Sequence, residues 1–119
     1  MSRRSERGAV TAELALGLPL LLAVTVGLVW LLAAAAAQVR VVDAAREAAR
    51  VAARGDGTEV ARSVGRRIAP RGAEVSVQVA GDEVTAEARA RVEGPGGLFD
   101  FLPGVTVRST AVAVAEEDG

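Results

Sequence analysis

The segment Arg7-Gly8-Ala9-Val10-Thr11-Ala12-Glu13 runs directly into 24 residues without formal charge, Leu14 to Ala37. As a helix this uncharged run is about 36 Å long, enough to cross a bilayer core of roughly 30 Å. Glu13 stands at its start, and a carboxylate on the first turn of a membrane helix is unfavourable unless something compensates it. The sequence therefore predicts one membrane-spanning helix and a partner group for Glu13.

The composition predicts a small and weakly packed exported region. Half of the 119 residues are apolar, but the aromatic residues are only Trp30, Phe99 and Phe101. Alanine and valine supply most of the remaining apolar side chains, so a core built outside the membrane run is marginal. We expect support from the membrane or from a neighbouring subunit.

Several function classes are disfavoured by the composition. The net charge of −1 gives no electrostatic case for nucleic acid. The chain has no Cys and no His, which removes the thiol nucleophile, the zinc-thiolate site and the usual general base. No phosphate-binding loop or serine-nucleophile motif is present. We therefore predict no enzyme activity, no catalytic or metal-binding residues, no cofactor and no small-molecule substrate.

The charges on either side of the uncharged run predict its orientation. The preceding flank, SRRSERG, carries three Arg and one Glu. The positive-inside tendency then places the N-terminus in the cytoplasm and the C-terminal part outside the cytoplasmic membrane, as a single-pass protein. The arginines after the run weaken this prediction but alternate with acidic residues: Arg40, Asp43, Arg46, Glu47 and Arg50.

Pro19 lies inside the predicted span. It removes one backbone donor and leaves the carbonyl of Ala15 without its usual partner. One interpretation is ordinary tolerance of proline in membrane helices. The other is a helix bend, or local melting, when the helix moves from lipid into a protein assembly.

A secretory signal peptide is a rival interpretation of the same stretch. Ala35-Ala36-Ala37 satisfies an A-x-A cleavage site before Gln38. Against this, the uncharged run is long for a signal peptide, Glu13 would stand at its start, and the helical pattern continues past Ala37. Both interpretations stay open on the sequence alone.

The next residues predict a helical extension and a second helix. Residues 38–54 repeat apolar positions every three or four residues, and Gly55-Asp56-Gly57 predicts a turn. Thr58 is a candidate N-cap for a short helix that Pro70 ends. The predicted apolar stripes are Val39, Val42, Ala45, Ala49 and Ala52 in the extension, and Val60, Val64 and Ile68 in the short helix.

The short helix also carries a basic strip of Arg62, Arg66, Arg67 and Arg71. A solvated face is the main interpretation of this strip. Contact with acidic lipid headgroups or with a partner is the alternative.

The pattern changes to a period of two after Ala73, which predicts strands. Gly81-Asp82 divides a hairpin with one buried face, and a third strand follows over Val105–Ala115. Phe99 and Phe101 lie in the Gly- and Pro-rich loop before it, either capping the sheet or forming a docking patch. The predicted fold is α+β and pilin-like: a long transmembrane helix extending outside the membrane, a short helix and about three antiparallel strands.

The N-terminal segment resembles the signals recognised by prepilin peptidases. These signals have a short basic leader that ends in Gly, a Glu at the fifth mature position and then a hydrophobic helix. Here the leader is MSRRSERG, the resemblance places cleavage between Gly8 and Ala9, and Glu13 is the fifth mature residue. The implied domains are a leader at 1–8, a hydrophobic helix at 9–37, its exported extension at 38–54 and a small α/β domain with an acidic tail at 55–119.

The chain as a whole resembles the TadE family of tight-adherence, or Flp-type, pilus assembly proteins. The resemblance rests on RGAVTAELALGLPLLLAVTVGLVWL and on AAREAARVAARGD, Ala44–Asp56. It implies a minor pilin, or pseudopilin, of a type IV pilus, with the lipid bilayer, a prepilin peptidase, other pilins and the Tad secretion machinery as partners. Leu14 departs from the Phe often found after the Glu in this family. The alternative is a membrane-anchored or secreted small domain unrelated to pili.

Overall fold

A computed structural model describes residues 3–94 and 104–116, apart from the side chain of Arg4. The elements in chain order are helix α1 (Arg3–Ala53), helix α2 (Thr58–Ile68) and strands β1 (Glu74–Ala80), β2 (Glu83–Val92) and β3 (Val105–Val114). The three strands form one antiparallel sheet in the order β1-β2-β3. The predicted α+β fold is confirmed. The chain divides into an N-terminal unit, Met1–Leu32, and a C-terminal unit, Ala33–Gly119.

Helix α1 begins at Arg3, six residues before the predicted start at Ala9, so residues 3–8 of the predicted leader are helical. These residues contain no proline, and Glu6 lies in the first turn, where a carboxylate complements the helix dipole. The helix ends as predicted before Gly55. That residue adopts a φ of 87°, and its N–H donates to the Ala52 carbonyl at 3.0 Å.

Helix α2 begins differently from the prediction. Gly57, with a φ of 98°, occupies the N-cap position, and no side chain caps the helix. Thr58 is therefore the first helical residue, and its predicted role as N-cap is wrong. The chain enters α2 through a positive φ, which glycine adopts without the steric strain that a Cβ causes.

Small residues bring α2 close to the rest of the C-terminal unit. A Cβ placed on Gly65 would lie 3.4 Å from the Ala48 Cβ and 2.9 Å from the Val75 Cγ1. Ala61 and Gly65 are buried, whereas Val60 is 49% exposed. The buried face of α2 therefore contains Ala61 in place of the predicted Val60, one residue further along the helix. Only very small side chains fit where α2 meets α1 and β1.

The buried face of α1 in the C-terminal unit is wider than a single stripe. Ala45, Ala49 and Ala52 are buried as predicted, but Val39 is 60% exposed. Residues outside the predicted stripe are completely buried: Val41, Ala44 and Ala48. This part of α1 packs against α2 and also shares a core cluster with sheet residues, so two neighbours cover it.

The sheet follows the predicted hairpin and third strand. Ala80 pairs with Glu83 across a two-residue turn, and Gly81 has the positive φ, 64°, that the first position of a type II′ turn requires. Strand β2 alternates as predicted, with Val84, Ala86, Ala88 and Ala90 buried. Strand β1 does so only at its start: Val75 is buried, but Val79 is 53% exposed.

The core consists of alanine and valine, as the composition predicted. One cluster joins Ala37 and Val41 of α1 to Ala69, Ala90 and Val107. A second joins Val51–Ala53 to Ala61 and Val84. Among the described residues, the largest fully buried side chains are Val41 and Val84. Because these side chains are small, the backbones approach closely, and an added methyl group would disturb the packing.

Polar contacts hold the strands in place. The Gln38 Nε2 donates to the Arg108 carbonyl at 3.2 Å, and the Glu116 N–H donates to the Ala53 carbonyl at 2.9 Å, so one contact within β3 and one just after it connect this strand to α1. Arg89 bonds Glu74 on the neighbouring strand through Nη2 at 2.6 Å and Nε at 2.9 Å. The hydrogen bond and the charge of Glu74 raise the pKa of Arg89 above its ordinary value.

Gly65→Ala should destabilise the C-terminal unit by about 1–2 kcal/mol, because overpacking against Val75 outweighs the better helix propensity of alanine. Gly27→Ala is the matched control, since no other part of the structure lies within 4 Å of a Cβ placed there. Thermal unfolding followed by circular dichroism measures both. An unchanged or higher midpoint for Gly65→Ala would contradict the proposed close packing.

Candidate functional site

After Glu13, the part of α1 in the N-terminal unit is apolar, with exposed leucines on every side. Leu16 is 78% exposed and Leu32 is 71% exposed, and the leucines between them are similar. A helix that is apolar all round is typical of a membrane span. Within residues 3–94 and 104–116, α1 is the one helix that is long and apolar enough to cross a membrane.

The predicted cleavage position lies inside α1. Gly8 and Ala9 are both helical and exposed, and no other part of the described chain lies within 4 Å of a Cβ placed on Gly8. The peptide bond between them is therefore open to approach from outside the chain. Glycine also weakens a helix by about 1 kcal/mol relative to alanine, which favours local unwinding at this position.

Glu13 lies four residues after Ala9, one helical turn further along the same face of α1. It is exposed and forms no hydrogen bond or ion pair with any side chain that the structure describes. A carboxylate needs hydrogen-bond donors or a cation when it leaves water. The geometry thus places an uncompensated anion one turn from the predicted new N-terminus.

The middle of the uncharged run contains one feature that the sequence analysis missed. Thr25 Oγ1 donates a hydrogen bond to the Leu21 carbonyl at 2.8 Å, so the hydroxyl is satisfied within the helix. Helix α1 continues through Pro19 without interruption. The predicted bend at Pro19 stays a prediction.

The structure describes some of the other predicted sites but not all of them. Phe99 and Phe101 lie outside the described residues, so the docking patch stays a prediction. Ala37, the last residue of the candidate signal-peptidase site, is buried in the C-terminal unit, and α1 continues through it into Gln38. Over the described part of the chain, no group of three or more His, Cys, Asp or Glu side chains is arranged to hold a metal ion.

Comparison with known families identifies the same region. The model of the TadE-like protein family matches residues 8–50. The match begins at Gly8, includes Glu13 and the uncharged run, and ends at Arg50 on the packed part of α1. The predicted resemblance to the TadE family is confirmed over these residues.

One curated relative shares much of the sequence. The protein named apoptosis inhibitor Rv3655c, from Mycobacterium tuberculosis (strain ATCC 25618 / H37Rv), is 46% identical over 79 residues. The matched region covers 66% of this chain and 57% of the relative, so the chain spans little more than half of the relative's length. No solved structure gives a significant match.

The exposed leucines should make the protein an integral membrane protein that stays in the membrane pellet after alkaline extraction. Leu21→Arg with Leu22→Arg should release most of it, because each arginine at the centre of a span is unfavourable by about 2.5–3.5 kcal/mol. Val112→Arg with Val114→Arg, on the exposed side of β3, is the control and should leave the protein in the pellet. Release of the unaltered protein would contradict the membrane assignment.

Proposed function

We propose that this chain, TadE-like over residues 8–50, is a minor pilin, or pseudopilin, that a prepilin peptidase processes and that takes part in assembly of an Flp-type pilus. The observation that carries the proposal is the position of the family match. It starts at the leader glycine, Gly8, and includes Glu13 at the head of a helix whose apolar side chains are exposed all round.

Processing after Gly8 keeps the whole membrane helix. The peptidase acts on the cytoplasmic side, where Arg3, Arg4 and Arg7 hold the leader. The bond it cuts is helical in the intact chain, so a local unwinding at Gly8 precedes cleavage. The mature chain begins at Ala9 and retains the uncharged run, unlike a secreted protein that loses its apolar segment.

The new N-terminus supplies the partner that Glu13 lacks. The α-ammonium of Ala9 lies one turn from the Glu13 carboxylate, or meets Glu13 of a neighbouring subunit. Pairing the two charges reduces the free energy of holding each in a low-dielectric environment. An unpaired carboxylate at the bilayer centre is unfavourable by about 3 kcal/mol, and by less near the interface. This difference favours the subunit register that brings amine and carboxylate together.

Assembly then transfers the apolar helix from lipid to a bundle of similar helices. Exposed leucines around the whole circumference suit such a bundle, because neighbours contact the helix on every side. The C-terminal unit, with its alanine and valine core, is displayed outside the cytoplasmic membrane. Other pilins and the Tad secretion machinery are the proposed partners.

Gly8→Leu should block processing, since the glycine both ends the leader and lets the helix unwind. We expect the unaltered protein to begin at Ala9 by N-terminal sequencing, with eight residues lost by intact mass, and the variant to keep its leader. Gly27→Leu, a helical glycine outside the leader, should be processed normally. A mature protein that begins at Gln38 would support secretion instead, and one that keeps Met1 would support a plain anchor.

Glu13→Ala should leave cleavage intact but lower incorporation into pili several-fold, because the α-ammonium of Ala9 loses its partner. Glu6→Ala is the matched control, since Glu6 leaves with the leader and should not affect the mature subunit. The yield of protein in sheared pili, relative to the processed protein in membranes, measures the effect. Normal incorporation of Glu13→Ala would refute the pairing mechanism.

A further inference from the structure

The C-terminal unit has two ends that its core clusters define. We call them the Ala37 end, where Ala37 and Val41 pack with Ala69 and Ala90, and the Ala53 end, where Val51–Ala53 pack with Ala61 and Val84. Helix α2 therefore runs antiparallel to α1, from Ala61 towards Ala69. Its last turn carries Arg66 and Arg67 towards the Ala37 end.

Arginines concentrate at the Ala37 end. Arg71 lies between Ala69 and Val75 of the same core cluster, and Gln38 binds the backbone of Arg108. Arg89 lies opposite Arg108 in the sheet, two residues before Arg91. The arginines of this end are Arg40, Arg66, Arg67, Arg71, Arg89, Arg91 and Arg108.

Few described carboxylates balance these arginines. Glu74 pairs with Arg89 at 2.6 Å, and Glu93 lies 3.9 Å from Arg91. The charge of Glu87, two residues before Arg89 on β2, also contributes to the raised pKa of Arg89. Asp43 lies one turn from Arg40 along α1. The other arginines are exposed and make no side-chain hydrogen bond or ion pair within residues 3–94 and 104–116: Arg40, Arg66, Arg67, Arg71 and Arg108.

The Ala53 end has the opposite balance. Arg54 lies 3.5 Å from Asp56, Arg62 pairs with Glu59, and Arg50 lies 3.6 Å from Glu47. Three further carboxylates have no arginine partner among the described residues: Asp82, Glu83 and Glu116. Arg46, between the two ends on α1, is exposed and also has no partner among the described residues. Unpaired arginines thus predominate at the Ala37 end and unpaired carboxylates at the Ala53 end.

We propose that the Ala37 end is a docking surface for anionic lipid headgroups, with Arg66, Arg67 and Arg71 as its centre. Ala37 is the last residue of the uncharged run, so the headgroup region begins at this end of the unit if α1 spans the bilayer. Arg40 follows Ala37 by about 4.5 Å along the helix axis, within the roughly 8 Å over which charges act at physiological salt. The proposal rests on the membrane insertion included in the proposed function.

The position favours lipid over an acidic protein as the occupant. A protein partner requires only a free basic surface, whereas a lipid surface requires that surface to lie at the membrane boundary. A span that ends at Ala37 would place the Ala37 end there. Headgroup contact would also hold the C-terminal unit against the bilayer before assembly, and entry into a fibre would then require its release.

The test uses the full-length protein in vesicles of phosphatidylcholine alone or with about 30% phosphatidylglycerol, an anionic lipid. Hydrogen exchange of backbone amides in residues 66–76 should be at least about five-fold slower with the anionic lipid, and about 0.5 M salt should remove the difference. Exchange of amides in residues 55–60, at the Ala53 end, should be the same in both vesicles.

Three variants distinguish an effect of lost positive charge from an effect of lost folding. Arg66→Gln with Arg67→Gln and Arg71→Gln should lose the protection, whereas the three corresponding Lys substitutions should keep it. The charge-matched control, Arg46→Gln with Arg50→Gln and Arg54→Gln, should also keep it. Exchange of the β2 amides in residues 86–90 reports whether each variant is folded.

Equal exchange of residues 66–76 in both vesicle types would overturn the proposal and leave an acidic protein as the occupant. Loss of protection in the control triple variant would also overturn it. Neither result bears on leader processing, because the vesicles contain no peptidase and no other pilin. Failure of the unaltered protein to resist alkaline extraction from the vesicles would instead refute the membrane insertion on which the proposed function rests.

Discussion

A carboxylate at the head of an apolar helix is the constraint on which the account depends. Glu13 is followed by an uncharged run that exposes leucine on all sides, and no described side chain compensates it. Such a helix is stable in lipid or among other apolar helices only when the carboxylate stays near water or acquires a cation. Cleavage after Gly8 would make that cation one helical turn away.

A second constraint acts on the C-terminal unit, where the buried side chains of the described residues are those of alanine and valine. Val41 and Val84 are the largest fully buried side chains of the described residues, and Gly65 leaves no room for a methyl group beside Val75. A core of this kind is stable only if its backbones approach closely. The packed part of α1 provides that surface, which gives a physical reason for the family match to extend past the membrane run to Arg50.

The sequence predicted the elements better than their packing. Long apolar runs, period-two alternation and the Gly81 turn identified α1, β2 and the hairpin, because each is a local pattern. The buried faces of α1 and α2 were partly mispredicted, since Val39 and Val60 are exposed while Ala44 and Ala61 are buried. Hydrophobicity favours valine for the core, but the close approach of α2 to α1 selects smaller residues. The N-cap of α2 is Gly57 and not the predicted Thr58, because the residue at this position has a positive φ. The roles that the sequence assigns to Gly8, Ala9 and Glu13 stay predictions. The charge separation between the two ends was not predictable, because it depends on the antiparallel course of α2.

Carbodiimide cross-linking of the protein from assembled pili tests the central claim most directly. The chain contains no lysine, so the N-terminal amine is its one primary amine, and a zero-length amide bond to a carboxylate reports which acid it contacts. Mass spectrometry should find the amine of Ala9 joined to Glu13, within one chain or between neighbours. A mature chain whose N-terminal residue is Met1 or Gln38 would contradict the account. An Ala9 amine joined only to carboxylates other than Glu13 would also contradict it.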